Sequence, residues 1–164
     1  MSQTSRDSSI AHIMQGLIWR AEHAWSMGAG APMYFGFVTP AAAEMAALGR
    51  EYYSDGKSLK VDLYEANFSG GTIVTQLNRR LIYRQSTPPV IIRHSVTPGP
   101  LTTRVTGFEI TTAATIAVGK NDDHDALVHD PAKSYALAIE NMVAGTQKYS
   151  FALDYRLMIP GVDK

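Results

Sequence analysis

The sequence contains no cysteine, and its 164 residues carry no formal net charge. Without thiols the chain forms no disulfide bridge and no thiolate zinc site, a composition that suits folding in a reducing cytoplasm. Fifteen Lys and Arg residues balance fifteen Asp and Glu residues. Proteins that bind nucleic acid or anionic membranes usually carry excess positive charge, so we expect neither as a partner.

Long hydrophobic runs are also missing from the sequence. No apolar stretch approaches the roughly 18 residues that a membrane-spanning helix needs. The first residues, Met1–Asp7, are polar, which argues against a secretory signal peptide. A chain of 164 residues fits one domain. We therefore expect a single domain over residues 1–164, with a short flexible amino terminus at about residues 1–9.

Alternation of apolar side chains is the main positive signal. Every second residue from Tyr149 to Ile159 is apolar, which predicts a strand with one buried face. A similar alternation runs from Tyr135 to Val143, and a short glycine-containing segment around Gly145 joins the two. This arrangement predicts a hairpin at the end of the chain.

Further strands are predicted upstream of that pair. Leu59, Val61 and Leu63 alternate with polar residues, and the glycines of Ser69–Gly71 predict a turn with positive φ. Other segments rich in Thr, Val, Ile and Tyr are bounded by Pro or Gly: 72–77, 79–85, 90–95, 101–111 and 115–118. Many short strands at this spacing predict a mainly β fold, an antiparallel β-sandwich of jelly-roll-like type.

The first fifty residues give a mixed signal. Between Ile10 and Trp25 the apolar positions match a helical stripe and also strand alternation, so both structures stay open for residues 10–50. Thr39 and Pro40 precede a run of good helix formers, and Gly49 follows it. This pattern predicts a short helix near residues 40–48.

Histidines and carboxylates are the candidates for chemistry. His124, Asp125 and His129 belong to the densest polar cluster, but their spacing matches neither a zincin pair nor a calcium loop. We interpret the cluster as a solvated loop, and His12, His23 and His94 as partly buried or surface residues of the sandwich. We therefore predict no catalytic residue, no cofactor and no metal.

Arginines and tryptophans are the candidates for protein contacts, because interfaces are enriched in arginine and aromatic residues. Arg79, Arg80 and Arg84 fall on the middle strands, and Trp19 and Trp25 on the first apolar segment. A solvated sheet face is the alternative interpretation for the arginines. The tryptophans could also serve as stacking platforms for a sugar.

Three segments carry a resemblance to a known family. Val61–Arg80, Lys133–Met142 and Tyr149–Tyr155 resemble segments of small structural proteins of tailed bacteriophages, in which a strand leads through a Gly-Thr turn to an Asn-Arg stretch. The resemblance covers about 100 residues from Val61 onward. It implies a virion protein attached to capsid or tail, without catalytic residues, and largely strand structure in the first fifty residues.

These observations favour a structural component of a phage virion, such as a capsid decoration, cement or fibre-type protein. Such a protein would be made in the host cytoplasm and act through symmetric contacts with itself, for which we expect a trimer, and with capsid or tail proteins. The alternative is a β-sandwich that binds a carbohydrate or host surface. A metal-dependent enzyme using residues 122–130 is the third hypothesis.

Overall fold

A computed structural model describes residues 17–56, 58–80, 87–111, 115–120 and 127–158. All regular structure in these ranges is β, which leaves no helix there that could cross a membrane. The twelve strands are β1 (Trp19–Met27), β2 (Pro32–Val38), β3 (Glu44–Ser54), β4 (Leu59–Glu65), β5 (Phe68–Ile73), β6 (Gln76–Asn78), β7 (Ile92–Pro98), β8 (Thr103–Ile110), β9 (Thr115–Lys120), β10 (Leu127–His129), β11 (Ser134–Asn141) and β12 (Gln147–Met158).

The strands form two antiparallel sheets of six strands each. Sheet A runs in the order β10-β3-β12-β1-β6, with β9 also paired to β3, and sheet B runs β5-β7-β2-β11-β4-β8. Rings from the two sheets meet in the interior, where Phe35 on β2 lies 5.2 Å from Phe151 on β12 between ring centroids. The predicted antiparallel β-sandwich is therefore confirmed.

The strand order is that of a jelly roll with an insertion. Without β5, β6 and β7, the sheets read β1-β12-β3-β9/β10 and β2-β11-β4-β8. A long antiparallel ribbon rolled into a sandwich gives this order, because the successive strand pairs of the ribbon, β1–β12, β2–β11, β3–β9/β10 and β4–β8, alternate between the two sheets. The inserted strands extend both sheets at the opposite side, where β6 pairs with β1 and β7 pairs with β2.

The predicted terminal hairpin is wrong. β11 pairs with β2 and β4 in sheet B, whereas β12 pairs with β1 and β3 in sheet A. The segment around Gly145, whose φ is +86°, therefore crosses from one sheet to the other. Alternation reports which face of a strand is buried and carries no information on which strand lies beside it.

The predicted helix at residues 40–48 is also wrong. Residues 44–54 form β3, which pairs with β12 on one side and with β9 and β10 on the other. Met45 and Ala47 enter the main core, while Ala46 and Leu48 join a second buried cluster. Burial on both faces outweighs the helix propensity of the alanines.

The sequence pattern left helix and strand open for residues 10–50. In the structure, Trp19–Met27 and Pro32–Val38 are strands. Residues 1–16, including the predicted flexible segment at about 1–9, lie outside the described residues. In β1 the odd-numbered residues face the core and the even-numbered ones face outward, as Trp19 and Arg20 show. Strand alternation therefore decides which side chains of β1 reach the surface.

Two glycines with positive φ lie inside β5. Gly70 has φ +68° and Gly71 has φ +82°, so the conformation expected for Ser69–Gly71 is confirmed, although it bends a strand and forms no turn. A Cβ atom on Gly71 would lie 2.5 Å from Val96 Cγ1 and 2.7 Å from the His94 carbonyl oxygen. At Gly70 a Cβ atom would meet nothing within 4 Å.

These two positions form a matched pair for mutation. Gly70→Ala should cost about 1 kcal/mol, because only the left-handed conformation penalises the side chain. Gly71→Ala adds a collision with β7 and should cost roughly 2–3 kcal/mol. Urea unfolding of both variants measures the difference. Equal losses would show that β7 yields to the added methyl group.

Candidate functional site

The outer face of sheet A carries a broad depression. Outward-facing residues of β1 and β12 include Ala24, Ser150 and Ala152, whose small side chains form its floor. The depression has a volume of about 540 Å³. Longer side chains from β1 and β3 surround the floor: Arg20, Glu22, Glu51 and Tyr53.

An ion-pair network closes one end of the depression. Arg20 Nη1 lies 3.2 Å from Asp154 Oδ2, while Arg20 Nη2 lies 3.0 Å from Glu51 Oε2 and its Nε 3.1 Å from Glu22 Oε2. Arg79 Nη1 reaches the same Asp154 oxygen at 3.2 Å. Burial raises the pKa of Asp154, because desolvation outweighs the opposing effect of the two guanidinium groups. The network joins β1, β3 and β12 to the chain directly after β6.

The chemistry of this face suits hydrogen bonding to a polar partner. Glu22 and Glu51 are held by Arg20 and keep exposed side chains, and Tyr53 is 37% exposed. An exposed phenol ring beside fixed carboxylates can stack on a sugar ring and accept bonds from hydroxyl groups. In the part of the chain that the structure describes, no group of three or more His, Asp or Glu residues could hold a metal ion.

His129 belongs to the core and not to a solvated loop, so that interpretation is wrong for this residue. Its side chain is buried, with Nδ1 lying 3.1 Å from the carbonyl oxygen of Met45. The ring packs edge-on against Phe37 and Tyr135, with centroids 5.1 and 4.8 Å away. Burial lowers the pKa of His129 to about 4. His124 and Asp125 lie outside the described residues.

A second histidine contact joins the two sheets. His23 on β1 stacks on His94 on β7, with ring centroids 3.8 Å apart and planes 18° apart. Both residues are partly buried, which is one of the two environments predicted for them, the other being the surface. Burial lowers the pKa of His23, and the neighbouring His94 lowers it further. His12 lies outside the described residues.

The contact residues predicted from the sequence occupy different environments. Trp19 is only 5% exposed and forms part of the core, whereas Trp25 is partly buried and packs against that core. Arg79 pairs with Asp154 of its own chain. The backbone N–H of Arg80 donates to Asn78 Oδ1, and Arg84 lies outside the described residues.

The sequence prediction missed the residues around the depression. The sequence does not indicate Tyr53, Glu22 and Glu51 as site residues, because its pattern predicts a helix for part of β3 and fits both helix and strand for β1. Alternation of small and polar residues in 20–26 and 148–154 was the available signal. This alternation predicts a shared outer surface only when it is known that the two segments pair as β1 and β12.

The fold defines the chain as a jelly-roll β-sandwich. No protein-family model and no curated protein matches its sequence. Among solved structures, it is similar to a protein of the disulfide-linked pili of Bacillus endospore appendages, at 11% identity and TM-score 0.34, over 86% of this chain and 89% of that one.

Two viral proteins are also similar to the chain. For the VP2 subviral particle of infectious bursal disease virus the identity is 13% and the TM-score 0.21, over 87% of this chain and 41% of that one. For the decameric BFDV capsid protein these values are 9% and 0.20, over 87% and 98%. TM-scores this low do not establish a common fold and carry no functional assignment.

Proposed function

We propose that the protein is a non-enzymatic structural subunit of a tailed-phage virion, a capsid decoration, cement or fibre-type protein made in the host cytoplasm. It folds as a single domain and acts through symmetric contacts with copies of itself and with capsid or tail proteins. The observation that carries this proposal is the presence of exposed aliphatic side chains on edge strands at both sides of the sandwich.

One side, the β8–β10 side, is defined by Val105 on β8 and Val128 on β10, which are 42% and 45% exposed. The other, the β5–β6 side, is defined by Ile73 on β5 and Leu77 on β6, which are 57% and 45% exposed. Each side contains the edge of sheet A and the edge of sheet B. The two surfaces are therefore built alike but from different residues.

Exposed edge strands bind further strands or aggregate unless the protein protects them. β6 and β10 are protected by their length of three residues, and β5 by its two glycines with positive φ. β8 is longer, at eight residues, and carries Val105 at a register shift against β4. A neighbouring copy that covers β8 would bury this aliphatic surface.

Contacts between two different surfaces of the same subunit produce a ring when the rotation closes and a filament when it does not. A rotation that closes after three subunits gives the proposed trimer. Arg80 and Trp25 stay part of the proposal as contact residues, and so does Arg84, which lies outside the described residues. Arg79 and Trp19 contribute less, because the first pairs within its own chain and the second is buried.

Binding of a glycan or host surface is the second candidate function. The depression beside Tyr53, with its fixed carboxylates, favours this alternative. The two hypotheses place the contact on different parts of the molecule, since the depression lies on a sheet face and the aliphatic residues lie at the sheet edges. Variants of these surfaces distinguish them.

Sedimentation velocity at micromolar concentration tests the assembly. We expect the wild type to sediment as a trimer and the double variant Val105→Glu, Ile73→Glu as a monomer, because charges at both edges oppose burial. Val38→Glu is the matched control, since Val38 is 50% exposed at the end of the inner strand β2. Tyr53→Ala should also leave the trimer intact.

A monodisperse wild-type monomer would contradict self-assembly. Loss of the trimer in Val38→Glu to the same extent as in the double variant would contradict the role of the edges. Detection of the protein in purified phage particles by mass spectrometry tests the virion assignment separately. Loss of glycan binding in Tyr53→Ala with an unchanged trimer would establish the second function beside the first.

A further inference from the structure

A small cavity lies inside the sandwich near the β8–β10 side. Its volume is about 30 Å³. Its walls come from β3, β10 and β12 of sheet A and from β2, β4, β8 and β11 of sheet B. Most of the lining is apolar, as Leu63, Phe108, Leu127 and Phe151 illustrate. Arg50 and His129 contribute the ionisable side chains.

Arg50 is the unusual member of this lining. Its Nε atom is buried and has no hydrogen-bond partner. Within the described ranges its guanidinium forms no ion pair, whereas Arg20 and Arg79 both pair with Asp154. Arg50 as a whole is only partly buried, but a buried N–H donor that faces apolar walls is costly unless an acceptor satisfies it.

His129 does not supply the missing negative charge. Its Nδ1–H is directed to the carbonyl oxygen of Met45, and the low pKa keeps the ring neutral near pH 7. Tyr52, another lining residue, is buried and its pKa is raised to about 12, so the phenol stays neutral as well. The field inside the cavity is therefore dominated by the positive charge of Arg50.

Size and charge together restrict the occupant. A cavity of about 30 Å³ holds one or two water-sized particles and excludes sugars, nucleotides and most organic acids. The edges of aromatic rings carry partial positive charge, which favours an anion over a cation. A halide meets both requirements, because it is about as small as water and carries the charge that opposes a guanidinium.

We propose that this cavity is a binding site for a small monovalent anion of the halide class, held by the Arg50 Nε–H between the two sheets. The anion neutralises Arg50 and joins β3 of sheet A to β8 of sheet B through their shared cavity wall. The site is independent of the proposed virion function, because it requires only the folded single chain.

Thermal unfolding at constant pH and ionic strength tests the site. Sodium gluconate provides the reference, since gluconate is too large for the cavity, and sodium chloride or bromide replaces it stepwise. We expect the unfolding midpoint to rise and then saturate, by roughly 3–6 °C when chloride reaches about ten times its Kd. A crystal soaked in bromide should show an anomalous peak beside Arg50.

Arg50→Met should abolish the difference between chloride and gluconate. Arg93→Met is the matched control, because Arg93 lies on β7 and donates to the carbonyl oxygen of Gly71. Arg50→Lys keeps the charge and serves if the methionine variant does not fold, with an expected decrease of the chloride effect. Equal wild-type midpoints in both salts, or a chloride effect that persists in Arg50→Met, would overturn the proposal.

Discussion

Replacement of Phe151 by alanine should lower the free energy of unfolding by about 3–5 kcal/mol. Phe151 is only 4% exposed on the central strand β12, and its ring lies 5.2 Å from both Phe35 and Tyr52. The truncation therefore removes contacts to both sheets at once and leaves a void that close-packed neighbours cannot fill. Equilibrium unfolding in guanidinium chloride measures the loss.

Tyr53→Ala is the control for this substitution. Tyr53 lies beside Tyr52 on β3 but faces outward and is 37% exposed, so its truncation should cost less than about 1 kcal/mol. A loss at Phe151 as small as that at Tyr53 would mean that the interior of the sandwich is not packed as described. The comparison separates core packing from a general sensitivity to aromatic truncation.

Acidification should destabilise the protein by about 3 kcal/mol through His129 alone. Its pKa falls from 6.5 to about 4 because the ring is buried. The unfolded chain binds the proton first, so this stabilisation is complete above pH 6.5 and is lost as the pH falls toward 4. The stacked His23, whose pKa is also lowered, adds to the loss in the same direction.

His129→Phe isolates this contribution. Phenylalanine keeps the ring between Phe37 and Tyr135 but cannot be protonated, so the variant should lose less stability than the wild type between neutral pH and pH 4. Unfolding by urea at several pH values provides both curves. Parallel curves would show that the His129 ring is accessible to protons in the folded protein.

The fold class could be predicted from alternation together with the spacing of short β-prone segments, and the reason why alternation works is visible in particular strands. On β4 the core is contacted by Leu59, Val61 and Leu63, and on β12 by Tyr149, Phe151 and Leu153. In both strands every second residue is apolar and buried, so the sequence predicts the buried face directly. Which strands lie side by side in a sheet cannot be predicted from this alternation. The hairpin prediction failed because adjacency along the chain was taken as adjacency in a sheet.

The helix prediction failed for a different reason. β3 has buried residues on both faces, so its sequence between Met45 and Leu48 shows no alternation and keeps only the propensity of alanine. The candidate sites depended on pairing even more strongly. Arg50 lines the interior cavity because the pairing of β3 with β12 shifts register between Asp154 and Tyr155, which changes the face on which the following residues of β3 lie. The local sequence pattern does not predict this shift.

The position of β12 has a consequence for how the molecule is made. The last described strand to be synthesised lies in the middle of sheet A, where it pairs with β1 over nine residues and with β3 along most of its length. A nascent chain therefore holds β1 and β3 apart until β12 leaves the ribosome, and long-range pairings of this kind close slowly. Translation that stops before residue 147 leaves the β1–β6 pair separate from the group of β3, β9 and β10, so a prematurely ended chain cannot complete sheet A.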